Sequence, residues 1–181
     1  MQVTRTGMEL LGERCLKAQP DTIIVMTPHG IYDESLVTIG HAGTAFGELD
    51  GDGSHVEAEF VCNTDLVTRI AAQCKELKLP ICLVQSHDEN NQPAPFPLDW
   101  GCLVPLWFMG ANWDVKPKVV VMCPGRQIPR GELVNFGRMI AEVCEASSER
   151  IAFICSADLG HGHDADGPYG FTPVSAEFDA V

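Results

Sequence analysis

Apolar and polar residues follow one another in blocks that predict an open α/β sheet. Continuous apolar runs rich in β-branched residues predict buried strands at residues 22–26, 81–84, 119–123 and 151–155. Apolar residues at helical spacing predict amphipathic helices at residues 3–17, 65–77 and 131–146. We therefore expect an α/β fold with a mostly parallel or mixed central sheet and helices on both faces. Functional residues are expected just past the carboxyl ends of the strands.

Between these blocks the pattern is less regular. Residues 40–54 are rich in Gly and Asp, which favours a mobile loop. Residues 56–61 alternate apolar and acidic side chains, which predicts a strand with one solvent-exposed face. Asn63 or Thr64 is predicted to cap the helix that follows, and Ser175 is predicted to cap a last, short helix.

The length of 181 residues fits one domain, residues 1–181. The chain starts directly in a helix, and its final helix is too short to bury a useful face. We therefore expect a domain that is incomplete at both ends.

Charge and hydropathy narrow the possible partners and locations. The net charge is −13, and the few basic residues are scattered, which argues against a nucleic-acid partner. No apolar run is long enough to cross a bilayer, and no signal peptide is recognisable. The sequence predicts a soluble, cytoplasmic protein with no membrane partner.

Eight cysteines show no C-x-x-C pair, and most fall on apolar strand or helix faces. In a chain of this length without an export signal, reduced thiols acting as small hydrophobic residues are expected.

Candidate chemistry lies in three segments, of which the first directly follows the strand at residues 22–26. Pro28 fixes the backbone and Gly30 permits a sharp turn, so His29 is held at the mouth of the sheet. A histidine in this place is either a metal ligand or a loop residue bonded to backbone.

The second segment follows the strand at residues 151–155. It places Asp158, His161, His163 and Asp164 among glycines, which is typical either of a metal cluster or of an acid/base histidine oriented by a carboxylate. His163 and Asp164 are interpreted as facing water. Asp158 is placed either to line the site or to brace the turn.

The third segment is a turn that enters an apolar helix, where Asp99 is placed to cap the helix and Trp100 suits either the core or a pocket wall. His41, His55 and His87 lie in loop-like surroundings without a partner at ligand spacing. They are predicted to be solvated surface.

In order along the chain, the three segments resemble motifs of one family. Residues 20–30 (PDTIIVMTPHG) resemble its "PDTIVVISPHG", residues 98–106 resemble "LDHGxxVPL", and residues 156–161 with 167–171 resemble "SGDLSH…GPYGF". By this resemblance, which covers residues 20–179, the chain is similar to the class III extradiol ring-cleavage dioxygenases of the protocatechuate 4,5-dioxygenase type and to their Memo-like relatives.

The resemblance implies an oxidoreductase that opens a catechol-type ring with dioxygen, in aromatic compound catabolism. Its cofactor would be non-heme Fe(II), or another divalent metal such as Zn²⁺, held by two His and one Glu. His29 matches the second of those ligands, and the other two would lie outside this chain. His161 matches the acid/base histidine, and Asp99, Trp100 and Asp158 would line the pocket for the small aromatic diol. A homo-oligomer is possible in such a family.

Two positions depart from the family pattern. Trp100 stands where the family has a histidine, and an indole has one donor and no proton to exchange. Gly160 replaces a serine beside His161, a smaller change that is expected to loosen the turn. The alternatives to an active enzyme are an inactive Memo-like binding protein, in which Trp100 fills the substrate space, and a non-functional partial chain.

Overall fold

The computed structural model describes residues 2–51 and 53–181. Within them the helices are α1 (Gln2–Ala18), α2 (Thr64–Leu77), α3 (Trp100–Leu106), α4 (Arg130–Glu145) and α5 (Pro173–Asp179), with a π-helical turn at Trp107–Ala111. The strands are β1 (Thr22–Met26), β2 (Val37–Gly40), β3 (Thr44–Gly51), β4 (Ser54–Val61), β5 (Ile81–Val84), β6 (Phe96–Pro97), β7 (Lys118–Cys123) and β8 (Ile151–Cys155).

The main sheet has five strands in the order β5-β2-β7-β1-β8. β1 pairs in parallel with both β7 and β8, with Met26 opposite Met122 on one side and Cys155 on the other. β2 runs parallel to β5 and antiparallel to β7, so the sheet is mixed. The predicted α/β class is confirmed.

Two apolar layers cover the two faces of this sheet. On one face, Ile24, Val120 and Met122 pack with residues of α2 and α4, such as Ile70 and Phe136. On the other face, the alternate strand residues pack against α3 and a second sheet of three strands, β4-β3-β6. Because both faces of the sheet are covered, the central strands are buried on both sides. Their sequences are therefore continuous apolar runs.

Three predictions about individual elements are wrong. Within residues 40–54, predicted as a mobile loop, Thr44–Gly51 form strand β3, which pairs with β4 in a regular antiparallel hairpin. The apolar run of β5, predicted as a buried strand, forms an edge of the sheet and leaves Leu83 exposed. Ser175 does not cap α5, because the helix begins at Pro173 and Ser175 lies inside it. The short strand β2 was not predicted.

Helix α1 packs on the π-helical turn through Gly12, its one fully buried residue. A Cβ atom at Gly12 would lie far inside contact distance of the backbone carbonyl oxygen of Phe108. Leu11, an apolar residue of the same helix, is 47% exposed. The close approach of the two backbones therefore sets which face of α1 is buried.

Replacing Gly12 by Ala is expected to destabilise the protein by about 1–3 kcal/mol, because the added methyl overpacks a contact made by backbone. Gly7→Ala in the same helix is the matched control, since nothing lies within 4 Å of its Cβ position. There the higher helix propensity of Ala is expected to stabilise by about 0.5–1 kcal/mol. Urea unfolding of the two variants checks the opposite signs, and equal signs would contradict this packing.

None of the helices in the described ranges combines the length and the apolar character needed to cross a membrane.

Candidate active site

The segments that carry the two candidate histidines leave the main sheet at one edge. Because β1, β7 and β8 are parallel neighbours, their carboxyl ends lie side by side. Two hydrogen bonds continue the pairing past the strand ends, from Thr27 N–H to the Met122 carbonyl (2.9 Å) and from Ser156 N–H to the Met26 carbonyl (2.9 Å). The loops that carry His29 and His161 therefore follow adjacent strands at the same edge of the sheet.

The first group at this edge is a stacked pair of rings. The imidazole of His29 and the indole of Trp100 have centroids 4.3 Å apart and planes inclined by 32°. Both residues are exposed, Trp100 by 50%. Trp100 therefore places an aromatic surface beside His29, the predicted metal ligand.

A partly buried carboxylate holds this pair in place. Asp99 Oδ1 accepts a hydrogen bond from the Thr27 hydroxyl (2.8 Å) and another from Gly101 N–H (2.7 Å), which caps α3 as predicted. Thr27 Oγ1 in turn accepts from His29 N–H (3.2 Å). Asp99 thus joins the turn after β1, which carries His29, to the start of α3, which carries Trp100.

The second oxygen of the same carboxylate, Oδ2, is buried and has no hydrogen-bond partner among the described residues. It lies under the turn, 3.4 Å from the Cβ position of Gly30. Within the described ranges, the hydrogen bonds of the Asp99 carboxylate are therefore made through Oδ1.

Two buried thiols border this carboxylate. Burial, with a smaller effect of Asp99, raises the pKa of the Cys102 thiol strongly, and burial raises the pKa of the Cys123 thiol as well. Both groups are neutral at physiological pH and are poor nucleophiles and metal ligands in that form. The described cysteines are all free.

The second group at the edge is built around His161. Its Nε2 lies 3.0 Å from Asp158 Oδ2, and its ring meets the Tyr169 ring edge-on at a centroid distance of 5.0 Å. With a neutral imidazole, Nε2–H donates to the carboxylate and Nδ1 is left as an acceptor. Asp158 therefore orients a histidine that is able to take up a proton.

Helix α5 braces the loop that carries His161. Gly162 N–H donates to the buried Ser175 hydroxyl (2.9 Å), and Gly160 N–H donates to Asp179 Oδ1 (2.6 Å). The other oxygen of Asp179 lies 2.8 Å from His163 Nε2. His163, predicted to face water only, also anchors the loop to α5.

Gly160 allows this bracing. A Cβ atom there would lie 2.6 Å from the Cβ of Ser175 and 2.8 Å from its backbone Cα. The glycine at this position therefore lets α5 approach the loop closely.

Among the described residues, no hydrogen bond or ring contact joins the pair of His29 and Trp100 to the pair of His161 and Asp158. The shared sheet edge relates the two groups. The roles of His29, His161, Asp99, Trp100 and Asp158 stay predictions.

An iron site at His29 does not fit the residues of this chain alone. A facial site needs three donors, whereas His29 belongs to no group of three His, Cys, Asp or Glu residues at ligand spacing within residues 2–51 and 53–181. The one such group in these ranges consists of Glu48, His55 and Glu57. The prediction that His55 lacks partners at ligand spacing is wrong.

Several residues of the site were missed from the sequence. Thr27 precedes Pro28 in the motif and was missed because its role depends on a partner 72 residues away. Tyr169 lies in the second motif, but its contact with His161 requires the folded loop. Asp179 shows no sequence signal beyond its place in the last predicted helix.

Comparison with known proteins agrees with the motif pattern. The family model described as the catalytic LigB subunit of aromatic ring-opening dioxygenase matches residues 1–181. Protein CA_C1420 of Clostridium acetobutylicum is 28% identical over 177 residues, which cover 97% of this chain and 37% of that protein. The chain thus spans little more than a third of the length of this relative.

Proposed function

We propose that this chain, which belongs to the family of the catalytic LigB subunit of aromatic ring-opening dioxygenases, contributes two active-site histidines to an extradiol dioxygenase. His29 would be one ligand of non-heme Fe(II), and His161 would be the acid/base. The substrates would be a small catechol-type diol and dioxygen. The observation that carries the proposal is that both histidines follow adjacent parallel strands, β1 and β8, at one edge of the sheet.

The role proposed for His161 is proton transfer. Its Nδ1 would accept a proton from a substrate hydroxyl, and the resulting imidazolium would be stabilised by Asp158, 3.0 Å from Nε2. The same proton would return to the product as the ring opens. Holding the imidazole in one orientation lowers the cost of this exchange because the ring need not reorganise.

The aromatic side chains at the edge suit a planar ligand. Trp100 and Tyr169 are 50% and 71% exposed, and each touches one of the two histidines. An aromatic diol would stack on such surfaces and gain roughly 0.5–1.5 kcal/mol beyond its burial.

Iron in this family activates dioxygen and the diol when bound. Because this chain offers a single ligand at the edge, the remaining donors would come from parts of the whole protein outside it. We propose that the whole protein is cytoplasmic.

Oxygen uptake by the full-length protein tests the proposal. With ferrous iron and a panel of catechols, oxygen is expected to be consumed and a yellow ring-cleavage product to form. The variant His29→Ala is expected to lose both the iron and the activity. A full-length protein that holds iron yet consumes no oxygen with any catechol would refute the proposed dioxygenase activity.

A second candidate is a binding protein without ring-cleavage chemistry, related to the Memo-like group. It is favoured by the indole of Trp100, which stacks 4.3 Å from the His29 imidazole at a position where related enzymes carry an exchangeable proton. Such a protein would bind a ligand at the same edge and consume no oxygen.

Changing Trp100 separates the two candidates. In the full-length protein, Trp100→His is expected to raise the rate of oxygen uptake by about tenfold or more, since an acid/base group typically contributes 10²–10⁴-fold. Trp100→Phe, which keeps a flat ring without an exchangeable proton, is the matched control and is expected to give no increase. No oxygen uptake by the histidine variant, despite bound iron, would favour the binding protein.

A further inference from the structure

The hairpin of β3 and β4 carries four ionisable side chains at facing positions. Glu48 lies directly opposite Glu57, and Asp50 lies directly opposite His55. Because side chains alternate along a strand, the four belong to one face of the hairpin. Two carboxylates placed directly opposite each other repel, which destabilises the pairing unless a cation lies between them.

The donor atoms of this face converge. Glu48, His55 and Glu57 each offer one ligand atom, and the three atoms lie within 4.8 Å of one another. The strands hold them through eight consecutive residue pairs, from Thr44 opposite Val61 to Gly51 opposite Ser54. The arrangement is set by regular backbone pairing.

His55 is oriented as metal-binding histidines are. Its Nδ1 lies 2.8 Å from Asp50 Oδ1, and its Nε2 lies 3.3 Å from Glu57 Oε2. A histidine ligand usually donates one ring N–H to a carboxylate and binds the metal through the other nitrogen. With Asp50 accepting from Nδ1–H, Nε2 is the nitrogen that faces Glu57, and a cation bound there would take the place of the proton that Nε2 and this carboxylate otherwise share.

We propose that this hairpin face is a binding site for a first-row divalent cation such as Zn²⁺, with Glu48, His55 and Glu57 as ligands and Asp50 as the partner that orients the imidazole. One nitrogen and two carboxylate oxygens suit Zn²⁺, which leaves its fourth position to water. Mg²⁺ and Ca²⁺ prefer all-oxygen sites. The imidazole distinguishes this site from an acidic patch.

The site is separate from the proposed active site. Its ligands lie on β3 and β4 of the three-stranded sheet, whereas His29 and His161 follow strands of the five-stranded sheet. The two sites share no residue. A divalent cation retained by this chain on its own is therefore expected at the hairpin, whereas iron at His29 would need donors from outside the chain.

Calorimetric titration of the metal-free chain with Zn²⁺ tests the inference. One equivalent is expected to bind, His55→Ala is expected to weaken binding by about tenfold or more, and Asp50→Asn is expected to weaken it by a smaller factor. His87→Ala is the matched control, because His87 is an exposed histidine outside both proposed sites, and it is expected to leave the affinity unchanged. The three substituted side chains are exposed, so circular dichroism is expected to show an unchanged fold.

Titration with Ca²⁺ completes the test, and it is expected to bind about tenfold or more weakly than Zn²⁺. Three results would overturn the inference. Unchanged Zn²⁺ affinity in His55→Ala would show that the imidazole is not a ligand, and equal affinities for Ca²⁺ and Zn²⁺ would show attraction by acidic charge alone. Loss of Zn²⁺ binding in a further variant, His29→Ala, would place the metal at the sheet edge.

Discussion

The ring cleavage proposed for the full-length protein is expected to fall by about 10²–10⁴-fold when His161 is replaced by Gln. Gln keeps a polar side chain of similar reach but cannot carry a proton between substrate and product. The bound iron and the KM for the catechol are expected to change little, because the substitution removes proton transfer and not a metal ligand. Steady-state oxygen uptake together with metal analysis measures the two effects separately.

The neighbouring His163 provides the matched control. It lies in the same loop, and its partner is Asp179 of α5. His163→Gln is expected to reduce kcat far less than His161→Gln. Comparable losses in the two variants would show that either substitution merely disturbs the loop. Full activity of His161→Gln would rule out the acid/base role proposed for His161.

Replacing Asp99 by Ala is expected to lower the free energy of unfolding by about 2–4 kcal/mol. The loss of the α3 cap costs about 1 kcal/mol, and the Thr27 hydroxyl, which belongs to a fully buried residue, loses its acceptor at a cost of about 1–3 kcal/mol. For a chain of this size the midpoint of thermal unfolding would fall by roughly 5–15 °C. Calorimetry or urea titration checks the value.

Two further variants show whether these hydrogen bonds cause the loss. Asp99→Asn keeps an oxygen for Thr27 and Gly101 but places a buried amide where Oδ2 lacks a partner, so its stability is expected between wild type and Asp99→Ala. Asp33→Ala removes a similar bond, to Ser35 N–H, at an exposed position. It is expected to change stability by less than about 0.5 kcal/mol. Equal losses for Asp33→Ala and Asp99→Ala would contradict the importance of burial.

The buried strands and the capped helices were predictable because their signals are local. The run Ile23 to Val25 is fully buried, and Asn63 caps α2 by accepting from Leu66 N–H (3.0 Å). Neither feature needs information from distant parts of the chain. Asp99 as a cap was predictable for the same reason.

The hairpin and the edge strand were missed for different reasons. Strands β3 and β4 are neighbours in sequence, with Gly51 opposite Ser54, but the Gly- and Asp-rich composition of the segment favoured loop over strand. The apolar run of β5 does not reveal that its strand has a neighbour on one side only.

The candidate site divides in the same way. The motif residues His29 and His161 were recognisable from sequence, whereas the contact between Thr27 and Asp99 depends on tertiary structure. The cation site at His55 depends on strand register, since Glu48 and Glu57 face each other only in the paired hairpin. Register is set by packing and turn geometry and not by the ligand residues themselves.

Strand β1 also constrains the order in which the chain can fold during synthesis. Both of its neighbours are made late, since Thr22 pairs with Lys118 and with Ile151. Until β7 and β8 have been synthesised, Ile23, Ile24 and Val25 lack the strands with which they pair. Because such long-range pairing is slow to form, the nascent chain keeps this apolar segment exposed until residues beyond Lys118 emerge, and chaperones are expected to bind it in that interval.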